Sequence, residues 1–489
     1  LNGADSLSYK PWKITSMAEF RQFFGGAHTP QFTISVTNNE KEKKSLGFIQ
    51  TIDECKFLHV IPPDTLFTLY YNMMLFYANG GGTCYIVSVG TYEEEKVIDE
   101  EKVTKALDAL EREPEITLVV VPEAASNENG NRINSLVLSH CGKMKNRFAI
   151  LDIQSNDPSD DSEDDVKKFR ADIGENFLSY GAAYYPWLNT SVLSKEDIDW
   201  RVLALYHTDD VDFSPIIEAC VPEEFRSRVN TALSDIKGER RTVTPTGLDG
   251  NGKEKTPAVT SFCPTDEMVA MKNNLHQVMR HSSPYYTNIL NMIRHKLNQL
   301  PPSAAMAGIY TMTDNIRGVW KAPANISINC VDSLAKDIPY SELADLNMPK
   351  NGKAINAMRF FDREGVKVWG ACTLDNNSLD WRYVNVRRKM IFIEESVKNA
   401  AKAYEFAPND ETTWENVRSL IDSFLHSVWE RDGLAGYTPD DAYEVHVGLG
   451  ETMTEKDIQD GIMRIKLMVA VVRPQDFVET TFQQQMPKR

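Results

Sequence analysis

The segment 355–404 changes periodicity near its middle. Residues 366–374 (VKVWGACTL) are rich in β-branched side chains and nearly alternate, and a turn-like DREG sequence precedes them. This pattern predicts a strand. Beyond Trp381 the apolar residues recur at helical spacing, with charged residues mostly opposite, which predicts an amphipathic helix. Asp380 is the expected N-cap of that helix.

Other stretches show the same two patterns. Helical spacing predicts helices at 64–78, 102–110, 131–143 and 411–430. Short apolar or alternating runs predict strands at 116–121, 148–152, 443–449, 462–472 and 477–483. Residues 31–60 predict a hairpin around a polar tip at 38–44. The strand, helix and strand between 116 and 152 predict a βαβ-like unit, and therefore a parallel sheet.

Length and charge narrow the possible classes of protein. A chain of 489 residues is too long for one ordinary core, so two to four domains are expected. The net charge of −17 argues against wrapping nucleic acid. No apolar run reaches the roughly 18 residues that would insert into a membrane. The seven cysteines are widely spaced, as expected for reduced thiols. The first residues lack a signal-peptide pattern and a starting Met, so some N-terminal sequence is expected to be missing.

Candidate chemistry is sparse. The glycines at 80–82 follow a helix and precede a strand, whereas a phosphate-binding loop has the opposite order. Glu123 and Asp152 would lie at strand ends, where open α/β sheets bind ligands, but no nucleotide or nucleophile motif accompanies them. Three histidines between 276 and 295 lack metal-site spacing and are expected at a surface or interface. We therefore predict no catalytic residue, cofactor or metal, and a ligand-binding α/β enzyme remains only an alternative.

Several motifs resemble one protein family. They are Phe360-Phe361, GVKVWGA at 365–371, WRYVNVRR at 381–388, IEES at 393–396, AGIY at 307–310 and RGVWKAPAN at 317–325. Weaker ones near the start are NGGGTCY at 79–85 and short matches between 15 and 26, and YYPW stands at 184–187. In order and content they resemble the contractile tail sheath proteins of phages, R-type pyocins and extracellular contractile injection systems.

The resemblance implies a fold and a division of the chain. The fold class is mixed α/β, a multidomain sheath fold whose core combines N- and C-terminal segments around an inserted middle region. The resemblance implies the following parts: residues 1–100 as the N-terminal part of the core, 101–189 as an α/β domain, 190–300 as a variable outer insertion, 301–475 as the C-terminal core domain, and 476–489 as a strand-exchange arm.

The same resemblance implies a structural function. The chain would form six-fold rings stacked helically around an inner tube protein, with baseplate and terminal cap proteins as further partners. Contraction would drive the tube through a target envelope. Assembly would occur in the bacterial cytoplasm, as part of a phage tail-like particle that can be released from the cell. A true bacteriophage tail sheath remains an alternative to an injection-system sheath.

The basic residues of the helix after Trp381 are the candidates for contact with the tube. They are Arg387, Arg388, Lys389, Lys398 and Lys402. An exposed cationic face in an acidic chain suits a releasable contact with an acidic partner. The alternative is that Arg387 and Arg388 form intramolecular salt bridges with Glu394 or Glu395.

The last predicted strand is the candidate for exchange between subunits. Its residues are Phe477, Val478, Glu479, Thr480, Thr481 and Phe482. A terminal strand with unpaired backbone groups can complete the sheet of another chain. Pairing within its own domain is the alternative, and the family resemblance favours exchange.

Overall fold

A computed structural model describes most of the chain. The described residues are 7–37, 48–50, 57–92, 98–155, 164–206, 216–217, 220–242, 266–347, 349, 352–471 and 477–485. Among them no helix is long and apolar enough to cross a bilayer. By compactness the chain divides into two units. Unit 1 holds residues 1–26, 72–189 and 300–489, and unit 2 holds residues 27–71 and 190–299.

The strands of the described residues are β1 (Trp12–Ile14), β2 (Thr33–Thr37), β3 (Phe48–Gln50), β4 (Phe57–Ile61), β5 (Cys84–Ile86), β6 (Leu118–Val120), β7 (Phe148–Asp152), β8 (Gly181–Tyr185), β9 (Leu188–Thr190), β10 (Gln299–Leu300), β11 (Val331–Leu334), β12 (Ile355–Phe361), β13 (Gly365–Trp369), β14 (Tyr443–His446), β15 (Ile462–Ala470) and β16 (Phe477–Gln485). The α-helices are α1 (Met17–Phe24), α2 (Leu69–Ala78), α3 (Glu100–Leu110), α4 (Gly130–Met144), α5 (Asp164–Asp172), α6 (Glu223–Thr242), α7 (Asp266–Ser282), α8 (Pro284–Leu297), α9 (Ser303–Arg317), α10 (Tyr340–Asn347), α11 (Val384–Ala401), α12 (Glu411–Glu430), α13 (Pro439–Ala442) and α14 (Glu455–Gln459).

A five-stranded sheet is the centre of unit 1. Its strand order is β13-β12-β8-β7-β6. Strands β6, β7, β8 and β12 run parallel, and β13 returns antiparallel to β12 as a hairpin. Every residue of β7 and β8 is buried. Such strands read as continuous apolar runs because helices cover both faces of a parallel sheet. The predicted βαβ unit is thus part of a larger sheet that a distant hairpin completes.

The outer strand β13 has its free side covered by the chain itself. The N–H groups of Asn325 and Ile328 donate to the carbonyls of Val368 and Val366 at 2.8 and 2.9 Å, and the N–H of Val368 donates to the carbonyl of Ile326 at 3.1 Å. The backbone groups of this edge are therefore satisfied, as a stable sheet edge requires.

The C-terminal part of unit 1 is a second layer structure. Strands β14, β15 and β16 form an antiparallel sheet in that order. Apolar residues of α11 and α12 share one core with alternate residues of β15: Val386, Met390, Ile393, Val397, Val417, Ile421, Leu425, Val428, Met463, Ile465, Leu467 and Val469. The period of 3.6 in the helices and of 2 in the strand brings these positions to one interface.

Unit 2 contains a small sheet and several helices. Its sheet has the order β2-β4-β3, with both outer strands antiparallel to β4. The predicted hairpin is therefore wrong, because β2 and β3 do not pair with each other and β4 lies between them. The predicted tip at 38–44 lies outside the described residues. His276, expected at a surface or interface, is buried within this unit and lies 2.8 Å from the hydroxyl of Tyr286.

Element boundaries differ from the predicted ones mainly at helix starts. The helix predicted from Trp381 begins at Val384, with Tyr383 rather than Asp380 as the N-cap residue. The helix predicted from 64 begins at Leu69. In contrast, the helix over Glu411–Glu430 has the predicted bounds, and the side chain of Asp410 caps it by accepting from the N–H of Thr413. A side-chain cap of this kind fixes a helix start that hydrophobic spacing alone leaves open.

Candidate assembly interface

The C-terminal strand β16 lies at the edge of its sheet. It pairs antiparallel with β15 over nine positions, from Ile462 opposite Gln485 to Ala470 opposite Phe477. Within the described residues its other side has no strand neighbour, since the sheet order ends at β16. The predicted exchange residues Phe477, Val478, Glu479, Thr480, Thr481 and Phe482 all belong to this strand. A strand of the same sequence from another copy would fit the same register.

The helix α11 was predicted to carry an exposed cationic face, and for its first turns that expectation is wrong. Arg387, Arg388 and Lys389 are buried, with 6%, 5% and 1% of their surface exposed. Three consecutive helical residues span most of the circumference. Because the helix is covered on several sides at this level, none of the three reaches the surface. Whether the helix contacts a tube stays a prediction.

Arg388 is held by an acidic partner that the sequence analysis did not consider. Its two terminal nitrogens donate to the two carboxylate oxygens of Asp314 in α9, one of them at 2.9 Å. The guanidinium also lies 4.6 Å from the ring of Tyr310, whose hydroxyl is 2.7 Å from that of Tyr184. A two-pronged contact of this type is the strongest arrangement open to arginine. The pair joins α9, which packs on the parallel sheet, to α11.

Arg387 is held by aromatic rings rather than by a carboxylate. Its guanidinium lies 3.6 Å from the ring of Trp381 and 4.4 Å from that of Tyr180, and it donates to the Ser179 hydroxyl at 2.9 Å. Burial lowers the pKa of Arg387 and raises the pKa of nearby Glu394. The alternative, in which both arginines make contacts within the chain, is correct. The partners differ from the expected Glu394 and Glu395: Arg388 pairs with Asp314, and Arg387 stacks on aromatic rings.

Lys389 is the most enclosed of the three. Burial, together with the charge of Lys321, lowers the pKa of its ammonium group to about 8. A lysine in this setting presents no cation to a partner surface. Its place in the sequence, beside two arginines, had indicated an exposed position on a cationic face.

The other two candidate residues of the helix are exposed. Lys398 has 65% of its side chain exposed, and its Nζ lies 3.9 Å from the carboxylate of Glu395. Lys402 is exposed in the short turn that follows α11, and its Nζ donates to the Asn399 side chain at 2.9 Å. These two cations are the part of the predicted face that the structure leaves accessible.

Asp152, which lies at the end of a strand of the parallel sheet, contacts another part of the chain. Asp152 is buried and its carboxylate accepts from the backbone N–H of Ser303, at 2.8 Å, and from the Ser303 hydroxyl. Burial raises the pKa of Asp152 to about 7. The carboxyl group of Asp152 therefore stabilises the start of α9, whose first residue is Ser303. No cluster of three or more metal-ligating side chains occurs among the described residues.

The sequence signals for these contacts were partly visible. Asp314 stands between the family-like motifs at 307–310 and 317–325, but nothing in the linear pattern joins it to Arg388, 74 residues later. Trp381 was assigned to the helix, whereas it precedes the helix and stacks on Arg387. Such pairings depend on how α9 and α11 cross and cannot be read from spacing.

Comparison with known proteins assigns the C-terminal part of the chain. A 138-residue stretch is 27% identical to the tail sheath protein of Vibrio phage KVP40, covering 28% of this chain and about a fifth of that protein's length. The sequence profile of the phage tail sheath C-terminal domain matches residues 376–485, the region that contains α11, α12 and β14 to β16. Residues 376–485 of this chain therefore belong to the phage tail sheath C-terminal domain family.

Solved structures extend the likeness to the whole sheath fold. The sheath of an extracellular contractile injection system, the PVC sheath complex in its contracted state, is 23% identical, with a TM-score of 0.55 over 98% of this chain and 87% of that one. The contracted helical sheath of the anti-feeding prophage is 24% identical, with a TM-score of 0.54 over 98% and 89%. At this identity the likeness concerns the fold, and it agrees with the predicted mixed α/β sheath fold.

Proposed function

We propose that the chain is the structural sheath subunit of a contractile injection machine. Copies form stacked hexameric rings around an inner tube, and contraction of the sheath drives the tube through a target envelope. The observation that supports this most directly is the sheath C-terminal domain, which ends in an outer strand able to pair in trans. Repacking of folded subunits supplies the work, and no catalytic chemistry is required.

In this proposal β16 is exchanged between subunits. Residues 471–476 connect β15 to β16. Strand β16 pairs with β15 in a register that the same strand of another copy would reproduce. Exchanged strands would keep neighbouring subunits connected while their other interfaces change. Residues 476–489 act as the exchange arm, and the remaining segments have the roles expected above.

The tube contact is assigned to the exposed end of α11. Lys398 and Lys402 offer accessible cations in a chain of net charge −17. An acidic tube surface would be attracted to them, and the attraction would be weak enough to release during contraction. Baseplate and cap proteins complete the particle, which assembles in the bacterial cytoplasm.

Electron microscopy of the purified chain tests the proposal. The full chain, alone and with its candidate tube protein, is expected to give hollow tubes or stacked rings in negative stain. Deletion of residues 476–489 is expected to abolish them while the circular dichroism spectrum stays close to that of the full chain. A monodisperse monomer at high concentration, with the tube protein present, would contradict the proposed function.

A further inference from the structure

A buried histidine and a buried arginine contact each other at the C-terminal end of α4. Nε2 of His140 lies 2.9 Å from a terminal nitrogen of Arg147, which follows α4 in the connection to β7. His140 is 6% exposed and Arg147 is fully buried. Among the described residues, no carboxylate lies at ion-pair distance from either side chain. Two groups that can both carry positive charge therefore meet without an anion between them.

This contact determines the protonation state of the imidazole. A guanidinium has donors and no acceptor, and it stays charged in proteins, so Nε2 of His140 must accept from Arg147. The proton of the neutral ring is then on Nδ1. A second proton would place an N–H of the ring against an N–H of the guanidinium, with two cations next to each other in a buried site. The geometry therefore requires a neutral histidine.

The buried histidine of unit 2 lacks this constraint. Nδ1 of His276 lies 2.8 Å from the hydroxyl of Tyr286, which can either donate or accept a hydrogen bond. Protonation of His276 can reverse the direction of that hydrogen bond without breaking it. A guanidinium offers no such reversal, so the contact between His140 and Arg147 is broken when the ring is protonated.

Arg147 holds the end of one helix against the start of a strand. Its second terminal nitrogen donates to the carbonyl of Leu110, the last residue of α3, at 2.6 Å and to the carbonyl of Glu113 at 2.8 Å. The last carbonyls of a helix have no partner within the helix, so this side chain caps α3. Arg147 directly precedes β7, and it therefore joins α3, α4 and the five-stranded sheet.

The surrounding charges do not remove the conflict between the two cations. Burial, followed by the charge of Arg147, lowers the pKa of His140 from its ordinary value of 6.5 to about 4. Burial also lowers the pKa of Arg147. The charged residues that face the pair from α3, from the loop after it and from α4 are Asp108, Glu111, Glu113 and Lys143. The three carboxylates favour the charged forms, but burial outweighs them.

We propose that His140 and Arg147 form an acid-sensitive latch that closes the α3–α4 side of the five-stranded sheet. At neutral pH the histidine accepts from the arginine, and the end of α3 is held. In acid the ring gains a proton, the two cations repel each other, and the end of α3 separates from α4. The inference concerns the folded chain and does not depend on the proposed function. In a sheath, acid would loosen this side of every subunit.

The direction of the pH dependence follows from proton linkage. In the open form His140 has its ordinary pKa of 6.5, and in the closed form its pKa is about 4, so the open form binds more protons between these values. The closed form is therefore most stable above pH 6.5, and its stability relative to the open form falls as the pH falls towards 4. A local readout is needed, because the stability of the whole chain also depends on other titrating groups.

Cys141 supplies this readout, because it is fully buried beside His140 and shares a core with Leu107 and Leu110 of α3. The purified full chain is treated with a pyridyl disulfide, which reacts with thiols in acid as well as at neutral pH. Mass spectrometry then measures the labelling rate of each cysteine, and the exposed Cys330 corrects for the pH dependence of the reagent. Corrected labelling of Cys141 is expected to rise on the order of 50-fold from pH 7.5 to pH 4.5.

His140→Gln separates the latch from other effects of acid. The amide oxygen of glutamine can accept from Arg147, but the side chain does not titrate, so labelling of Cys141 is expected to rise less than about threefold over the same range. Slow labelling of Cys141 at pH 7.5 shows that the variant is folded. His281→Gln, at an exposed histidine of α7, is the matched control and is expected to keep the full rise.

A second cysteine makes the unaltered chain informative by itself. Cys372 is half-buried and belongs to unit 1, so its labelling is expected to rise only if unit 1 unfolds as a whole. A parallel rise at Cys141 and Cys372 would overturn the latch. Constant labelling of Cys141 down to pH 4.5 would overturn it as well, and so would an equal rise in the His140→Gln variant.

Discussion

The two larger sheets of unit 1 differ in how their outer strands are covered. In the five-stranded sheet the chain covers β13 with the backbone of residues 325–328, and β7 and β8 are buried along their whole length. In the C-terminal sheet the outer strand β16 pairs on one side only, within the described residues. We call the first the closed sheet, because its central strands are buried and its β13 edge is covered. We call the second the connector sheet, because β16 leaves one edge open among the described residues, as the proposed exchange between subunits requires.

Breaking the backbone pairing of β16 gives the largest expected effect. The double substitution Thr480→Pro and Thr481→Pro removes two adjacent N–H groups, one on each side of the strand. Assembly is expected to fall at least tenfold by sedimentation, whereas the melting temperature of the unassembled chain changes little. The double substitution to Val keeps the N–H groups and is the control. Normal assembly of the proline variant would show that subunits do not assemble through exchange of β16.

The ion pair between Asp314 and Arg388 joins α9, which packs on the five-stranded sheet, to α11, which packs on the C-terminal sheet. Removing one partner tests how much this contact stabilises the chain. Asp314→Ala leaves the Arg388 charge buried without its partner, and the free energy of unfolding is expected to drop by about 3 kcal/mol in urea titrations.

The matched control for this variant replaces both partners. Asp314→Leu combined with Arg388→Met fills the same space with apolar side chains and is expected to recover most of the lost stability. Equal losses in the single and double variants would show that packing, and not the buried charge, carries the effect.

The five-stranded sheet should show a pH dependence that comes from the buried carboxyl group of Asp152. The pKa of Asp152 is about 7 in the folded chain and near 3.8 when unfolded. Because the folded pKa is the higher one, this group's stabilising contribution is present below pH 4 and is lost as pH rises towards 7. Asp152→Asn is therefore expected to flatten the change in unfolding free energy between pH 5 and 7.5. A variant with the unaltered pH profile would show that Asp152 does not titrate in this range.

The smallest effect on folding is expected from the exposed end of α11. Lys398→Glu with Lys402→Glu should change the unfolding free energy by no more than about 0.5 kcal/mol, since both side chains are exposed. Tube binding measured by co-sedimentation is expected to weaken about fivefold and to lose part of its salt dependence. Lys456→Glu, an exposed site elsewhere, is the control. Unchanged tube binding in the double variant would show that these two lysines do not form the tube contact.

The sequence predicted where helices and strands occur better than it predicted which of them pair or pack together. The predicted bounds 148–152 and 411–430 are correct. The first is a short apolar run that forms a buried strand, and in the second the helical period and the Asp410 cap agree. The motifs around Trp381 identified the family, which the C-terminal domain match confirms. The pairing of β12 with β8 was not predictable from periodicity, since parallel pairing at long range leaves no local signal.

The candidate site shows the same limit. Charge at Arg387, Arg388 and Lys389 predicted exposure, because charged residues are rarely buried without partners. The partners exist, but Asp314, Tyr180 and Ser179 are distant in sequence, so only the folded chain brings them together. Lys398 and Lys402, which lie past the crowded turns of the helix, kept the exposure that was expected. Their proposed role in tube binding awaits the measurement above.

The pairing of β8 with β12 also constrains synthesis of the chain on the ribosome. The parallel register joins Ala183 to Ile355, so β8 lacks one of its neighbours until β12 has been made and has emerged. During that interval a strand that is fully buried in the folded chain carries an unpaired edge, the kind of surface that aggregates or recruits chaperones. Slower translation between these two strands should lengthen this exposure. Co-expression of a chaperone should then raise the soluble yield most when translation is slowed there.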